Sequence, residues 1–193
     1  RADEWVAYKV MMEVDEEVKP DMVLLVADAS NLKRNLLFCS QVIDLKKPVV
    51  IALTMMDLAE KKGIKVDVDG LATELGVPVI PVNPRKHKGL DHLKKTLAQT
   101  VSQTTRPHQW DFIENKALAP AAIEEVKKII PNLSDYAGIH YLINHEHFPL
   151  TASTQQAIEE VETENKFNPS KTQAEEILQR YHHIKQVMQQ IGR

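Results

Sequence analysis

Lys47-Pro48-Val49-Val50-Ile51-Ala52-Leu53-Thr54-Met55-Met56-Asp57 decides the fold. The run is apolar and rich in β-branched residues, and it stops abruptly in Thr-Met-Met-Asp. A strand buried on both faces of a parallel sheet reads this way. Its carboxyl end is where an open α/β sheet binds its ligand, which draws attention to Thr54 and Asp57. Asp57 also precedes Leu58-Ala59-Glu60-Lys61-Lys62, so capping a short helix is the competing role for its carboxylate.

Working outward, Met22–Ala27 predicts a short buried strand, followed by the loop Asp28-Ala29-Ser30-Asn31. Leu32–Leu45 predicts a helix with Leu36, Leu37, Val42 and Ile43 facing a core. Pro48–Thr54 is the second strand. Leu58–Lys62 is a short helix closed by Gly63, and Asp67–Leu75 another, ended by Gly76. Val77–Val82 is a third strand, interrupted by Pro78 and Pro81. Gly89–Gln103 is a helix with Leu90, Leu93, Leu97 and Val101 at core spacing. Strands alternating with helices predict a parallel sheet with crossover helices. Upstream, residues 3–18 predict an amphipathic helix stopped by Pro20. The chain enters that helix without an initiator Met, which is the expected look of an internal fragment of a longer protein.

Composition changes after Thr104. Thr105-Arg106-Pro107-His108 is the expected linker, and four helices follow: Pro120–Ile130, Ser134–Asn144, Thr154–Asn165 and Ser170–Ile191. Pro120 fits a first helical position, Ser134 and Thr154 fit N-caps, and Thr172-Gln173-Ala174-Glu175 fits a capping box. Ile177, Tyr181, Ile184, Val187 and Ile191 form a stripe expected to bury against the other helices. Two domains are expected, residues 1–104 and residues 105–193.

Bulk properties narrow the function. The net charge of −3 over 193 residues argues against a general nucleic-acid binder. The single cysteine, Cys39, excludes an internal disulfide framework and lies in an apolar helical pattern, as a small buried hydrophobe would. No run approaches the length of a transmembrane helix. The eight histidines show no metal-site spacing on a helix, and Glu159-Glu160-Val161-Glu162 reads as a solvated helix face. Neither a metal ligand nor a catalytic residue is assigned from the sequence.

Thr54-x-x-Asp57 resembles the base-reading motif of small GTPases, Asn-Lys-x-Asp or Thr-Lys-x-Asp. An aspartate there accepts hydrogen bonds from N1 and N2 of guanine, a donor pair that adenine lacks. Asn83-Pro84-Arg85-Lys86-His87-Lys88-Gly89 stands where GTPases place a Ser-Ala-Lys loop whose amide meets the guanine oxygen. Pro84 has no N–H, so that amide belongs to Arg85 or Lys86; a solvated basic loop is the alternative. None of the six glycines forms Gly-x-x-x-x-Gly-Lys-Ser/Thr. Asp67-Val68-Asp69-Gly70 imitates a γ-phosphate segment but lies on the wrong side of Asp57, and is read as a helix start.

Lys19-Pro20-Asp21 and Asp28-Ala29-Ser30-Asn31-Leu32-Lys33-Arg34-Asn35-Leu36 resemble the segment after the second switch of bacterial ferrous iron transport protein B. Thr54–Ile64 is similar to that family's base-reading segment, typically Asn-Met-x-Asp. Leu75–Val82, Lys88-Gly89-Leu90 and Gln179-Arg180-Tyr181-His182-His183-Ile184 continue the likeness, which is densest over residues 19–97. Thr54 stands where Asn is usual, and Asn83-Pro84-Arg85 replaces small residues.

The resemblance implies the C-terminal half of a Ras-like G domain followed by an all-α domain that stabilises bound GDP. It implies GTP or GDP as ligand, contacted by Thr54, Met55, Asp57, Pro84, Arg85 and Lys86, with the Met55 stem along the purine. Mg²⁺ belongs to the full-length protein, and its ligands are absent from these residues. The implied setting is the cytoplasmic face of a bacterial inner membrane. The implied partners are the protein's own membrane domain beyond the C-terminus and, in some assemblies, further copies of the chain. Two alternatives stay open: a protein-interaction module that binds no nucleotide, and another GTPase of the translation-factor class.

Overall fold

The structure, a computed structural model, describes residues 22–103 and 110–192. The expected helix over 3–18 and the linker 105–108 lie outside the described residues. The chain divides into two compact units, one drawn from residues 22–112 and 180–192, the other from residues 113–179.

The first unit is built on three parallel strands in the order β1 (Val23–Asp28), β2 (Val49–Thr54), β3 (Val79–Pro81). The sheet starts Val23 opposite Val49 and ends Asp28 opposite Thr54, so both strands finish level at the carboxyl edge. β2 is central and buried along Val49–Leu53, as its unbroken apolar run requires. The third strand is three residues long, against six expected. Pro78 has no N–H to donate to β2, and the missing N–H of Pro81 falls on the outer side, which an edge strand tolerates.

α1 (Leu32–Ile43) buries Leu36, Val42 and Ile43, whereas Leu37 is only half-buried. Cys39 is buried on the same helix, and burial pushes its thiol up to about 12, which leaves it protonated and unreactive at neutral pH. α2 (Met56–Lys61) and α3 (Val68–Leu75) follow β2. Asp67 caps α3 by accepting from the Gly70 amide at 2.9 Å, and Gly76 ends it at φ 71°. The Asp-x-x-Gly is thus a helix start. α4 (Leu90–Ser102) lays Leu93, with the partly buried Leu90 and Leu97, on Val50, Ala52, Ile80 and Val82. Val101, expected in that core, is 45% exposed.

The second unit contains α5 (Pro120–Ile129), α6 (Asp135–Asn144), α7 (Ala152–Glu164) and the first part of α8 (Pro169–Ile191). Ile123, Val126, Tyr136, Ile139, Leu142 and Ile158 make its core. Pro120 is at the first turn of α5, and Ser134 caps α6 through the Ala137 amide at 3.1 Å. Two caps differ from expectation. Thr151, not Thr154, caps α7, because its hydroxyl accepts the Thr154 amide at 3.2 Å. Asn168 accepts the Lys171 amide at 3.1 Å, which leaves Thr172 buried inside α8 and outside any capping box.

Residues 180–192 group with the α/β unit, a division that differs from one drawn at residue 104. The buried Arg180 guanidinium meets Asp44 Oδ2 at 2.9 Å and donates to Ser40 Oγ at 3.3 Å. Asp44 Oδ1 accepts the Phe112 amide at 2.6 Å. Further along α8, Ile184, Val187 and Ile191 are buried, Ile177 is half-buried, and Tyr181 is 39% exposed. The stripe is therefore core from Ile184 onward and packs within the α/β unit. The Ile191 carbonyl accepts the Asp67 amide at 3.1 Å, closing the helix against the start of α3.

Candidate functional site at the carboxyl edge of the sheet

Thr54 ends β2 half-buried, and its hydroxyl donates to the Ala27 carbonyl at 3.2 Å, tying the ends of β1 and β2 together. Its oxygen lone pairs remain available to a ligand. Met55 then turns the chain in the left-handed region at φ 61°, 44% exposed. An unbranched side chain tolerates that conformation better than a β-branched one would. α2 starts at Met56, ahead of the expected Leu58, with Met55 in the cap position. This places Asp57 in the first turn and not at the cap, which weakens the capping role as its explanation. Asp57 Oδ1 accepts the adjacent Leu58 amide at 2.9 Å, while Oδ2 has no hydrogen-bond partner among the described residues. The side chain is exposed and sits at the positive end of a helix, where a carboxylate is stabilised.

The third loop forms a short turn over Pro84–Lys86. Asn83 organises it: its side-chain and backbone oxygens accept the Lys86 amide at 3.3 and 3.2 Å, and its own amide donates to the Lys88 carbonyl at 2.9 Å. Gly89 follows at φ 81°, where a Cβ would run into the Pro81 carbonyl. Of the two amides the sequence left open, the Lys86 N–H is therefore engaged within the loop. The Arg85 N–H has no acceptor among the described residues and is the one able to meet a ligand carbonyl.

Asp57 and Lys86 line one cleft of about 580 Å³ together with Met56, Glu60, Lys65 and Lys88. Thr54, Met55, Pro84 and Arg85 flank it and do not line it. The segment Ile64-Lys65-Val66 forms another wall. Sequence reading missed it, because it lies between two helices and carries no motif. The first loop is held shut on itself: Asp28 Oδ1 accepts both the Ser30 amide at 2.8 Å and the Ser30 hydroxyl at 2.6 Å. Asn35 reaches back to accept the Asp28 amide at 3.3 Å and to donate to the Asn31 carbonyl at 2.8 Å. Its repeated polar residues thus build the loop that ends β1.

The sequence model of a family described as ferrous iron transport protein B matches residues 1–97. The Fe(2+) transporter FeoB of Salmonella typhimurium is 45% identical over 74 residues, covering 38% of this chain and 10% of that protein. The Fe(2+) transporter FeoB of Leptospira biflexa is 31% identical over 134 residues, covering 69% of this chain and 19% of that protein. The chain thus spans a tenth to a fifth of the length of these relatives. Among solved structures, a GDP-bound point mutant of S. thermophilus NFeoB aligns with a TM-score of 0.73 at 26% identity, covering 97% of this chain and 73% of that one. The cytosolic domain of L. pneumophila FeoB aligns at 0.68 and 25% identity, covering 97% and 72%. The α/β architecture with a following helical part is the fold these structures share with this chain.

Proposed function

This chain belongs to the ferrous iron transport protein B family, and on that premise we propose that it supplies the guanine-selecting half of a GTP-binding region and the helical part that follows. The supporting observation is Asp57. It stands in the first turn of α2 at the carboxyl edge of β2, with one carboxylate oxygen unengaged, on the wall of a cleft shared with Lys86. In this reading Asp57 accepts from the N1 and N2 donors of guanine. The Arg85 amide meets the base oxygen, Thr54 steadies the strand end, and Met55 lies along the purine face. In this reading the α/β unit is the partial G domain and the helical unit of residues 113–179 the GDP-stabilising part.

The whole transporter hydrolyses GTP to regulate or drive Fe(II) uptake at the cytoplasmic face of a bacterial inner membrane. The nucleotide state passes through the helical part to a membrane domain. Among the described residues no helix is long and apolar enough to cross a membrane. A Mg²⁺ ion does not suit the cleft described above: three lysines, Lys65, Lys86 and Lys88, outnumber its two carboxylates, Asp57 and Glu60, and leave it net positive. No step is assigned to the ion in this chain.

In the whole transporter, Asp57→Ala should weaken GTP and GDP alike by about 1.5–3 kcal/mol, the worth of a charge-assisted hydrogen bond. Asp57→Asn should turn preference toward xanthine nucleotides, since an amide donates where xanthine presents a carbonyl. Nucleotide titration with guanine, adenine and xanthine forms is the measurement, and unchanged base preference would return Asp57 to a structural role. The 193-residue chain alone should turn over no GTP. Its residues contain no phosphate loop, and contacts to phosphate provide most transition-state stabilisation in this chemistry. Turnover that persists through purification to homogeneity would count against that.

One observation favours a second reading, a protein-interaction module. Leu24 and Val26 on β1, an edge strand among the described residues, are 44% and 66% exposed, on the face they share with Val50 and Ala52. Binding of a protein partner that Val26→Lys abolishes and Asp57→Ala leaves intact would support it.

A further inference from the structure

The geometry points to a binding site for a divalent first-row transition-metal ion in the helical unit, formed by His145, Glu146, Glu159 and Glu162. It is independent of the nucleotide reading. His145 opens the short turn His145–His147 after α6, and Glu159 and Glu162 lie three residues apart on one face of α7. His145, Glu146 and Glu159 each place a ligand atom within 4.8 Å of the other two. Glu162 Oε1 lies 3.2 Å from His145 Nε2.

The hydrogen bonds around His145 fix which ring nitrogen is available. The Gln155 amide nitrogen donates to the His145 carbonyl at 2.7 Å and to the Phe148 carbonyl at 3.2 Å. Two acceptors at that end orient the carboxamide, so Gln155 Oε1 is the atom 2.5 Å from His145 Nδ1. Oε1 only accepts, so Nδ1 carries the proton. In the neutral ring Nε2 is then a lone pair, and it points at a carboxylate. The His145 side chain is only 5% exposed, and Glu162 Oε1 is buried with no partner besides His145 Nε2 among the described residues. Two lone pairs facing each other in a buried place call for a proton or a cation between them. Glu146 and Glu159 bring two further carboxylate oxygens to the same place. A dication relieves all three carboxylates at once.

The donor set suits the ion. One imidazole with carboxylates favours borderline metals such as Zn²⁺, Mn²⁺ and Fe²⁺ over the all-oxygen shells of Ca²⁺. A protein amide or carboxyl that orients the distal ring nitrogen is the usual support for a metal-bound histidine, and Gln155 occupies that position. His145 is a fixed anchor. Glu146 and Glu159 are exposed, so their side chains can swing inward to metal–oxygen distance. The face that the sequence reading assigned to solvent, Glu159–Glu162, thus carries a half-buried carboxylate aimed at a histidine.

Zn²⁺ and Co²⁺ titrated separately into the 193-residue chain are the test, by calorimetry and by Co²⁺ visible absorption. One equivalent should bind, with a d–d spectrum of a nitrogen–oxygen site. Glu159→Gln, an exposed change that leaves the fold intact, should weaken Zn²⁺ by about tenfold or more, as should His145→Gln. Glu160→Gln, exposed on the same helix, should change nothing. Absence of binding at millimolar Zn²⁺, or an affinity that Glu159→Gln and Glu146→Gln both leave unchanged, would overturn the site. The second outcome would place the ion on other histidines of the chain.

Discussion

Arg180→Met should destabilise the α/β unit by about 3–5 kcal/mol, the usual consequence of leaving one member of a buried ion pair alone. Arg180 and Asp44 are both wholly buried, 2.9 Å apart. Without the guanidinium, Asp44 keeps the Phe112 amide but loses its counter-charge. Asp44→Asn combined with Arg180→Met should recover much of the loss, because the amide oxygen still accepts from Phe112 and neither member of the pair is left charged. Urea unfolding of the four proteins gives the coupling energy directly. Equal losses in the single and double variants would show that packing, and not charge, is what Arg180 contributes. Salt should leave the wild-type difference nearly unchanged, since a pair excluded from water is poorly screened.

This ion pair marks the limit of what the sequence shows. Its members sit on distant segments, as does Ser40, which lies 140 residues from Arg180, and nothing local announces a partner. Elements governed by local rules were legible. The apolar run Val49–Leu53 is the central strand because only a doubly covered strand tolerates it. Gly76 and Ser134 end and start helices as their chemistry requires. Competition between neighbouring polar residues was not legible. Thr151 and Thr154 are both good caps, and the structure shows the Thr151 hydroxyl taking the Thr154 amide. β3 fell short at its start because Pro78 has no N–H to donate to β2, although its carbonyl still accepts the Ile51 amide.

The candidate site divides the same way. Thr54 and Asp57 are visible as an abrupt polar end to an apolar strand. The Arg85 amide emerges only once Asn83 is seen to occupy that of Lys86. Ile64-Lys65-Val66 is brought to the cleft by a connection without regular structure, so no period in the sequence marks it. Glu162 looked solvated because three of its near neighbours on α7 are acidic, and a charge run says nothing about which member turns inward.

Ile184→Asp should cost about 4 kcal/mol or more, combining the loss of a fully packed aliphatic side chain with burial of an unpaired carboxylate. That is a large part of the 5–15 kcal/mol that typically holds a domain folded. The location of the damage is the informative part. Read from the sequence, Ile184 belongs to a helical bundle, and its loss would unfold residues 105–193. In the structure Ile184 groups with residues 22–112, alongside Val187 and Ile191. Hydrogen exchange should therefore lose protection in β1, β2 and α1, while α5 and α6 keep theirs. Leu178→Asp, at a position 69% exposed earlier on the same helix, should stay within about 0.5 kcal/mol of wild type. Protection lost first in α5 and α6 would mean that the end of α8 supports the helical unit after all. Near-neutral behaviour of Ile184→Asp would mean that this side chain is accessible in solution, and the last turns of α8 would then be a surface and not a core.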